Sequence, residues 1–173
     1  MVIWIIGLSG VGKTTLSQLV YEKLKPSTPN LVRLDGDVIR NVFGNDVDHS
    51  VEGRRKNAER LSHLSKLLSD QGIHVIAAVL SIFPNWRKWN RENIQDYAEV
   101  YLKVSIDTLI KRGREHLYVP AREGKLQNVV GVDIDFAEPS SPDLVIDNEE
   151  ERNDFSGFVD QITDLPVVKN ILV

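Results

Sequence analysis

Near the amino end, Gly7-Leu8-Ser9-Gly10-Val11-Gly12-Lys13-Thr14 follows the spacing G-x-x-x-x-G-K-[ST]. Glycines let the main chain wrap an anion so that its N–H groups converge on phosphate oxygens. A helix opening at Lys13 adds the positive end of its dipole. Lys13 brings a point charge to the β- and γ-phosphates of a nucleoside triphosphate, and the Thr14 hydroxyl is a ligand for Mg²⁺. Thr15 completes the loop. A chance glycine-rich turn is the plain alternative, but the stretch follows an apolar strand and opens a helix, the setting that phosphate binding needs. A second group lies at Asp35-Gly36-Asp37. A carboxylate there can accept the proton of an attacking hydroxyl or hold a magnesium-bound water. Both aspartates are also of the type that caps a helix or closes a turn.

The elements that must position these groups are legible from periodicity. Val2–Ile6 reads as a strand buried on both faces, Leu31–Leu34 as a second short strand, Ile73–Leu80 as an almost wholly apolar central strand, and Glu99–Val104 and Leu144–Ile146 as a fourth and a fifth. Helical patterns cover Lys13–Lys25, Glu52–Asp70, Trp86–Ile94, Ile106–Arg112 and Phe155–Ile162. Alternating strands and helices predict an α/β fold: a parallel five-stranded sheet flanked by helices. The strand that ends at Asp35 is expected beside the one that feeds the glycine loop, with both ends on the ligand edge. Trp86 and Trp89 have the spacing of a helix-packing pair. Arg114–Pro142 holds mixed charges and three prolines with little periodicity, which predicts a lid over about Arg112–Phe136. No linker or repeat divides residues 1–173, so one domain is expected.

Composition narrows the chemistry. The 173 residues contain no cysteine, which removes disulfides and thiol catalysis. Lys plus Arg number 21 against 25 Asp plus Glu, a formal charge of −4, so overall charge gives no reason to expect nucleic-acid or membrane partners. The apolar runs are far short of the ~20 residues of a bilayer span, and the first residues lack a signal-peptide pattern, which points to the cytoplasm. No guanine-reading N-K-x-D occurs, there is no room for the accessory domains of large ATPases, and the third strand ends at Ser81 rather than at a carboxylate. A small P-loop kinase that takes ATP and Mg²⁺ fits best.

With these pieces in order, the sequence resembles the adenylylsulfate kinase family, whose members phosphorylate the 3′-hydroxyl of adenosine 5′-phosphosulfate. The resemblance runs through Gly7–Thr15, Leu34–Arg40, Arg54 with Asn57, Val75–Ser81, Leu117-Tyr118, Ala121-Arg122, Gly131-Val132-Asp133 and Asp143–Asp147. It implies Lys13, Asp35 and Ser81 as catalytic residues, with Asp35 as base or as organiser of Mg²⁺ through water. It implies that Asp37, Arg40, Arg54 and Asn57 join Asp35 and Ser81 around the acceptor nucleotide. It also implies that Arg112, opening the lid, reaches the ATP phosphates, and that the protein is a homodimer.

The chain departs from the family where the acceptor base should sit. The family clamps adenine between two phenylalanines; the matching positions here are His49 and Val129. The family's D-P-K-G-L-Y reads Gly113-Arg114-Glu115-His116-Leu117-Tyr118. Stacking a base on an aromatic is worth about 1–3 kcal/mol, so two lost faces matter. Either Phe83, Trp86 or His49 replaces the stacking and adenosine phosphosulfate, the substrate of sulfate assimilation, stays the acceptor, or the pocket takes another nucleotide. Cytidine diphosphoramidate, the substrate of a capsule-biosynthesis kinase that resembles this family, is one such nucleotide. A nucleotide-binding sensor without catalysis is the reading from outside enzymology, and the intact Lys13, Thr14 and Asp35 oppose it.

Overall fold

Five consecutive apolar residues at Val2–Ile6 form β1, every one of them buried, at the centre of the sheet. The computed structural model describes residues 1–150 and 154–171. In chain order the elements are β1 (Val2–Ile6), α1 (Lys13–Leu24), β2 (Leu31–Asp35), α2 (Gly36–Val42), α3 (Val51–Asp70) and β3 (His74–Val79). They continue with α4 (Pro84–Asn93), β4 (Tyr97–Lys103), α5 (Ile106–Leu109), α6 (Glu115–Arg122), β5 (Leu144–Asp147), α7 (Ser156–Thr163) and α8 (Pro166–Lys169). All strands run parallel in the order β2-β3-β1-β4-β5. Ile3, for example, faces Ile76 of β3 on one side and Ala98 of β4 on the other.

Because side chains alternate along a strand, β1 serves two cores at once. Ile3 and Ile5 pack with Leu16, Val20 and Leu24 of α1 and with Val159 and Ile162 of α7. Val2, Trp4 and Ile6 pack with Leu61 of α3, Ile39 of α2 and Ile94. Trp86 and Trp89 of α4 meet His63 of α3 edge-on, with ring centroids 5.5 and 5.0 Å away, so they join the two helices. Among the described residues no helix is long and apolar enough to cross a membrane.

The α/β class and the five expected strands are present. Two local expectations change and one open reading is settled. β3, not β2, lies beside β1, so the strand that delivers Asp35 is one place further from the glycine loop. A short helix, α2, follows Asp35 directly, so of the cap and turn readings of these aspartates the cap is the one realised, at Asp35. The segment read as an irregular lid begins with α6, whose pattern is masked by Pro120 inside the helix. Between α5 and α6 the chain passes through a wide helical turn, Ile110–Arg114, broken by Gly113 at φ +83°.

Candidate phosphoryl-transfer site

The glycine loop leaves β1 at its carboxyl end, between the two neighbouring strands where an open α/β sheet forms its ligand crevice. Gly12 caps α1 at φ +101°, and a Cβ there would stand 3.2 Å from the Phe155 ring, so both the turn and the close approach demand glycine. Asn148, just past β5, donates to the Val11 carbonyl at 3.2 Å and fixes the loop from behind. The Lys13 ammonium bends back to donate to the carbonyls of Gly7 (2.9 Å) and Leu8 (2.8 Å). Burial pushes the Lys13 ammonium down to about 8, with the carboxylates of Asp35 and Asp37 pulling the other way.

Across the crevice, Asp35 closes β2. Its Oδ2 accepts a hydrogen bond from the Thr14 hydroxyl at 2.8 Å, and its Oδ1 caps α2 by accepting from the Asp37 N–H at 3.0 Å. One carboxylate therefore both caps α2 and meets the phosphate loop. Asp37 sits in the first turn of α2.

A single cavity of about 670 Å³ collects Ser9, Gly10, Gly12, Lys13, Thr14 and Thr15 with Asp35, Asp37, Arg40, His49, Arg54, Asn57, Ser81, Phe83 and Val129. Its cations outnumber its carboxylates although the whole chain is acidic. Arg40 is buried, donates through Nη1 to the carbonyls of Val47 (3.0 Å) and Asp48 (2.5 Å), and keeps an unpartnered Nε. Arg54 donates to the carbonyls of His49 (2.8 Å) and Asn128 (2.9 Å), which ties α3 to the segment after α6. Partial desolvation lowers the His49 imidazole, although the residue as a whole is exposed, and the guanidinium groups of Arg40 and Arg54 lower it further. Asn57 donates to the Gly36 carbonyl at 2.9 Å and leaves a buried, unpartnered Oδ1.

Ser81 ends the approach of β3 in a left-handed conformation, φ +56°, rare for a residue with a Cβ. Its Oγ accepts from the buried indole of Trp4 at 3.1 Å, and its carbonyl accepts from Arg87 at 2.5 Å. Phe83, also in the cavity lining, has the Arg55 guanidinium over its ring at 5.0 Å. Val129 is buried, its N–H held by Asp133 at 2.6 Å.

Gly7, Leu8, Val11 and Arg112 are not among the cavity's lining residues. The Leu8 and Val11 side chains belong to the hydrophobic core. Arg112 lies in the wide turn and its Nη2 is buried without a partner; the nearby Glu149 carboxyl is lowered first by its hydrogen bond with Thr108, then by those from Ser105, and least by the Arg112 charge. The lid arginine that does line the cavity is Arg114, with Tyr118 near it. The Tyr118 hydroxyl donates to the Ser9 carbonyl at 2.8 Å, and burial holds its phenol up at about 12. Sequence reasoning places Tyr118 in the lid but not against the loop. The signal for Arg114 is its position just after the glycine that breaks the helix.

The donor set suits a hard divalent cation. A hydroxyl and a carboxylate oxygen meet at the loop, while no group of three or more acidic or histidine side chains forms a metal cage among the described residues. An ion held largely by phosphate oxygens and water needs only that much from the protein.

A parallel sheet, a phosphate loop on its central strand and a carboxylate facing that loop define a P-loop kinase, a phosphotransferase with a hydroxyl acceptor. The sequence profile of the adenylylsulphate kinase family matches residues 1–147, and the chain belongs to that family. It is 40% identical over 152 residues to a cytidine diphosphoramidate kinase of Campylobacter jejuni, covering 88% of each chain. It is 36% identical over 164 residues to an adenylyl-sulfate kinase of Staphylococcus carnosus, covering 94% of this chain and 81% of that one. The Mycobacterium tuberculosis APS kinase CysC, solved with AMPPNP and APS, superposes with a TM-score of 0.82 at 27% identity over 97% of this chain and 96% of that one. Membership of this family implies ATP together with a divalent metal.

Proposed function

We propose that the protein transfers the γ-phosphoryl group of ATP to a ribose hydroxyl of a nucleotide that carries an anionic tail on its 5′ side. The observation that carries this reading is the 2.8 Å contact between Thr14 and Asp35 inside a cavity that also contains Arg40, Arg54, Asn57 and Ser81. The acceptor oxygen bonds to the γ-phosphorus while the bond to the β–γ bridging oxygen breaks. The hydroxyl proton passes to Asp35, and ADP leaves with the electron pair. Thr14 would ligate Mg²⁺ directly and Asp35 through a water, the ion supplying charge neutralisation at the phosphates. Lys13 and the guanidinium groups of Arg40 and Arg54 orient anionic oxygens, Arg through its two-pronged geometry.

Two acceptors suit that chemistry. Adenosine 5′-phosphosulfate is the one the family resemblance puts first, and the S. carnosus relative bears that name. The base end of the cavity favours cytidine diphosphoramidate, the acceptor named for the C. jejuni relative. There His49 and Val129 replace an aromatic clamp, and Arg55 stands over one face of the Phe83 ring. One aromatic face suits a small pyrimidine better than a purine built to be sandwiched. Comparing kcat/KM for the two acceptors at equal Mg-ATP decides. A large preference for adenosine phosphosulfate would overturn the pyrimidine reading, and ATP consumption with neither would overturn the kinase. The need for ATP supports a cytoplasmic setting. The homodimer that the family resemblance implies is part of the proposal, and sedimentation of the purified protein tests it.

A further inference from the structure

Arg114 lies stretched across the apex of the phosphate loop. A Cβ built on Gly10 would stand 2.7 Å from its Nε, 2.9 Å from its Cγ and 3.0 Å from its Cδ. Gly10, at φ +85°, thus leaves room for the side chain as well as for the turn. Two features hold Arg114 there. α6 is docked on the loop by the hydrogen bond from Tyr118 to the Ser9 carbonyl, 2.8 Å, with Tyr118 fully buried. Gly113 at φ +83°, with open space around it, redirects the chain so that Arg114 faces the loop while Arg112, at φ −90° and ψ 24°, does not. Arg114 forms no ion pair among the described residues, whereas Arg122 on the same helix pairs with Asp107 at 2.7 Å. An exposed guanidinium held over Gly10 of the loop that carries Lys13, in the same cavity and without an ion-paired carboxylate, has its donors free for phosphate.

We infer that Arg114, rather than Arg112, is the catalytic arginine of the lid, donating to the bridging and γ-oxygens of ATP. As the bond from the γ-phosphorus to the bridging oxygen breaks, negative charge gathers on the departing ADP, and the fork of Arg114 meets it without giving up a proton. The family resemblance predicts no arginine at this position, so the chain carries its lid charge two residues downstream of the expected place. This inference rests on the kinase reading.

The test measures phosphoryl transfer to the preferred acceptor, and the binding of ADP with and without aluminium fluoride, for the full-length wild type and for Arg114→Ala, Arg114→Lys, Arg112→Ala and Lys125→Ala. For Arg114→Ala the expected loss in kcat is roughly 100-fold or more, with acceptor KM within about threefold. ADP should still bind, but the fluoride complex, which mimics the transferring group, should not form. Arg114→Lys should recover only a small part of kcat, because an ammonium cannot fork. Lys125→Ala, at an exposed lid position, should match wild type. Unchanged kcat in Arg114→Ala, or a large loss confined to Arg112→Ala, would overturn the assignment while leaving the kinase intact. A wild type that binds neither ADP nor ATP would instead remove the kinase reading and this inference together.

Discussion

Asp35 divides one carboxylate between two donors: Oδ2 takes the Thr14 hydroxyl at 2.8 Å and Oδ1 takes the Asp37 N–H at 3.0 Å. Structural cap and candidate base are therefore separable by chemistry rather than by position. Asparagine caps a helix as well as aspartate does. Asp35→Asn should unfold at nearly the wild-type denaturant concentration yet lose roughly 10²–10⁴-fold in kcat, the range of a removed general base. Asp35→Ala should lose the cap as well, about 1 kcal/mol. An Asp35→Asn protein with normal turnover would show that the carboxylate only caps.

The central strands were legible because they are short apolar runs that the sheet buries, as at Val2–Ile6 and His74–Val79, while the outer strands Leu31–Asp35 and Leu144–Asp147 are only partly buried and were legible from their few apolar residues. The phosphate loop was legible because its chemistry is local. α2 was legible only in its cap: Asp35 and Asp37 read as cap or turn residues, but Gly36 and Asp37 are poor helix formers, and the helix starts where Asp35, placed by β2, caps it. α6 was hidden by Pro120, a residue that normally ends a helix, and its burial of Tyr118 and Ala121 against the rest of the fold outweighs that penalty. Strand order was not written in any single segment, so the position of Asp35 one strand away from β1 emerges only from pairing. The choice between Arg112 and Arg114 depends on one glycine's left-handed φ. The proposed base end was legible only through the family resemblance, as His49 and Val129 standing where it implies two phenylalanines.

The lowered Lys13 gives a signed pH dependence. Its ammonium titrates near 8 in the folded, nucleotide-free protein against an ordinary value of 10.5. Between those two values the unfolded chain binds more protons, so this group adds stability as pH rises from about 8 towards 10.5 and contributes a constant penalty below 8. A triphosphate stabilises the charged form and reverses the shift. Nucleotide binding at pH 9 should take up protons, and affinity should weaken as pH rises through 8. Calorimetry in two buffers of different ionisation heat reads the uptake directly, and zero uptake at pH 9 would refute it.

Trp4 and Ser81 should behave as a coupled pair. The indole N–H is buried and donates to the Ser81 Oγ at 3.1 Å. Ser81→Ala leaves that donor unpartnered, which is expected to lower stability by about 1–3 kcal/mol. Trp4→Phe removes the donor itself, so the double variant should fall short of the sum of the single losses. Urea unfolding of the four proteins gives the coupling, and simple additivity would mean that the contact contributes nothing.

The base end can be re-engineered toward a purine. Both His49 and Val129 line the cavity, His49 exposed and Val129 buried, so His49→Phe is the gentler way to restore one aromatic face. One stacked face is worth about 1–3 kcal/mol, which corresponds to roughly 5- to 150-fold in affinity. Because stacking holds substrate and transition state alike, the gain should appear in KM for adenosine 5′-phosphosulfate with kcat nearly unchanged. Cytidine diphosphoramidate should gain less, since a smaller ring covers less of the new face. Measuring both acceptors on wild type and variant gives the ratio of kcat/KM values. A ratio shifted toward the adenosine compound through KM alone places the base against residue 49. A ratio that does not move, with both acceptors still turned over, would place the base elsewhere and leave Phe83 as the remaining aromatic wall to test.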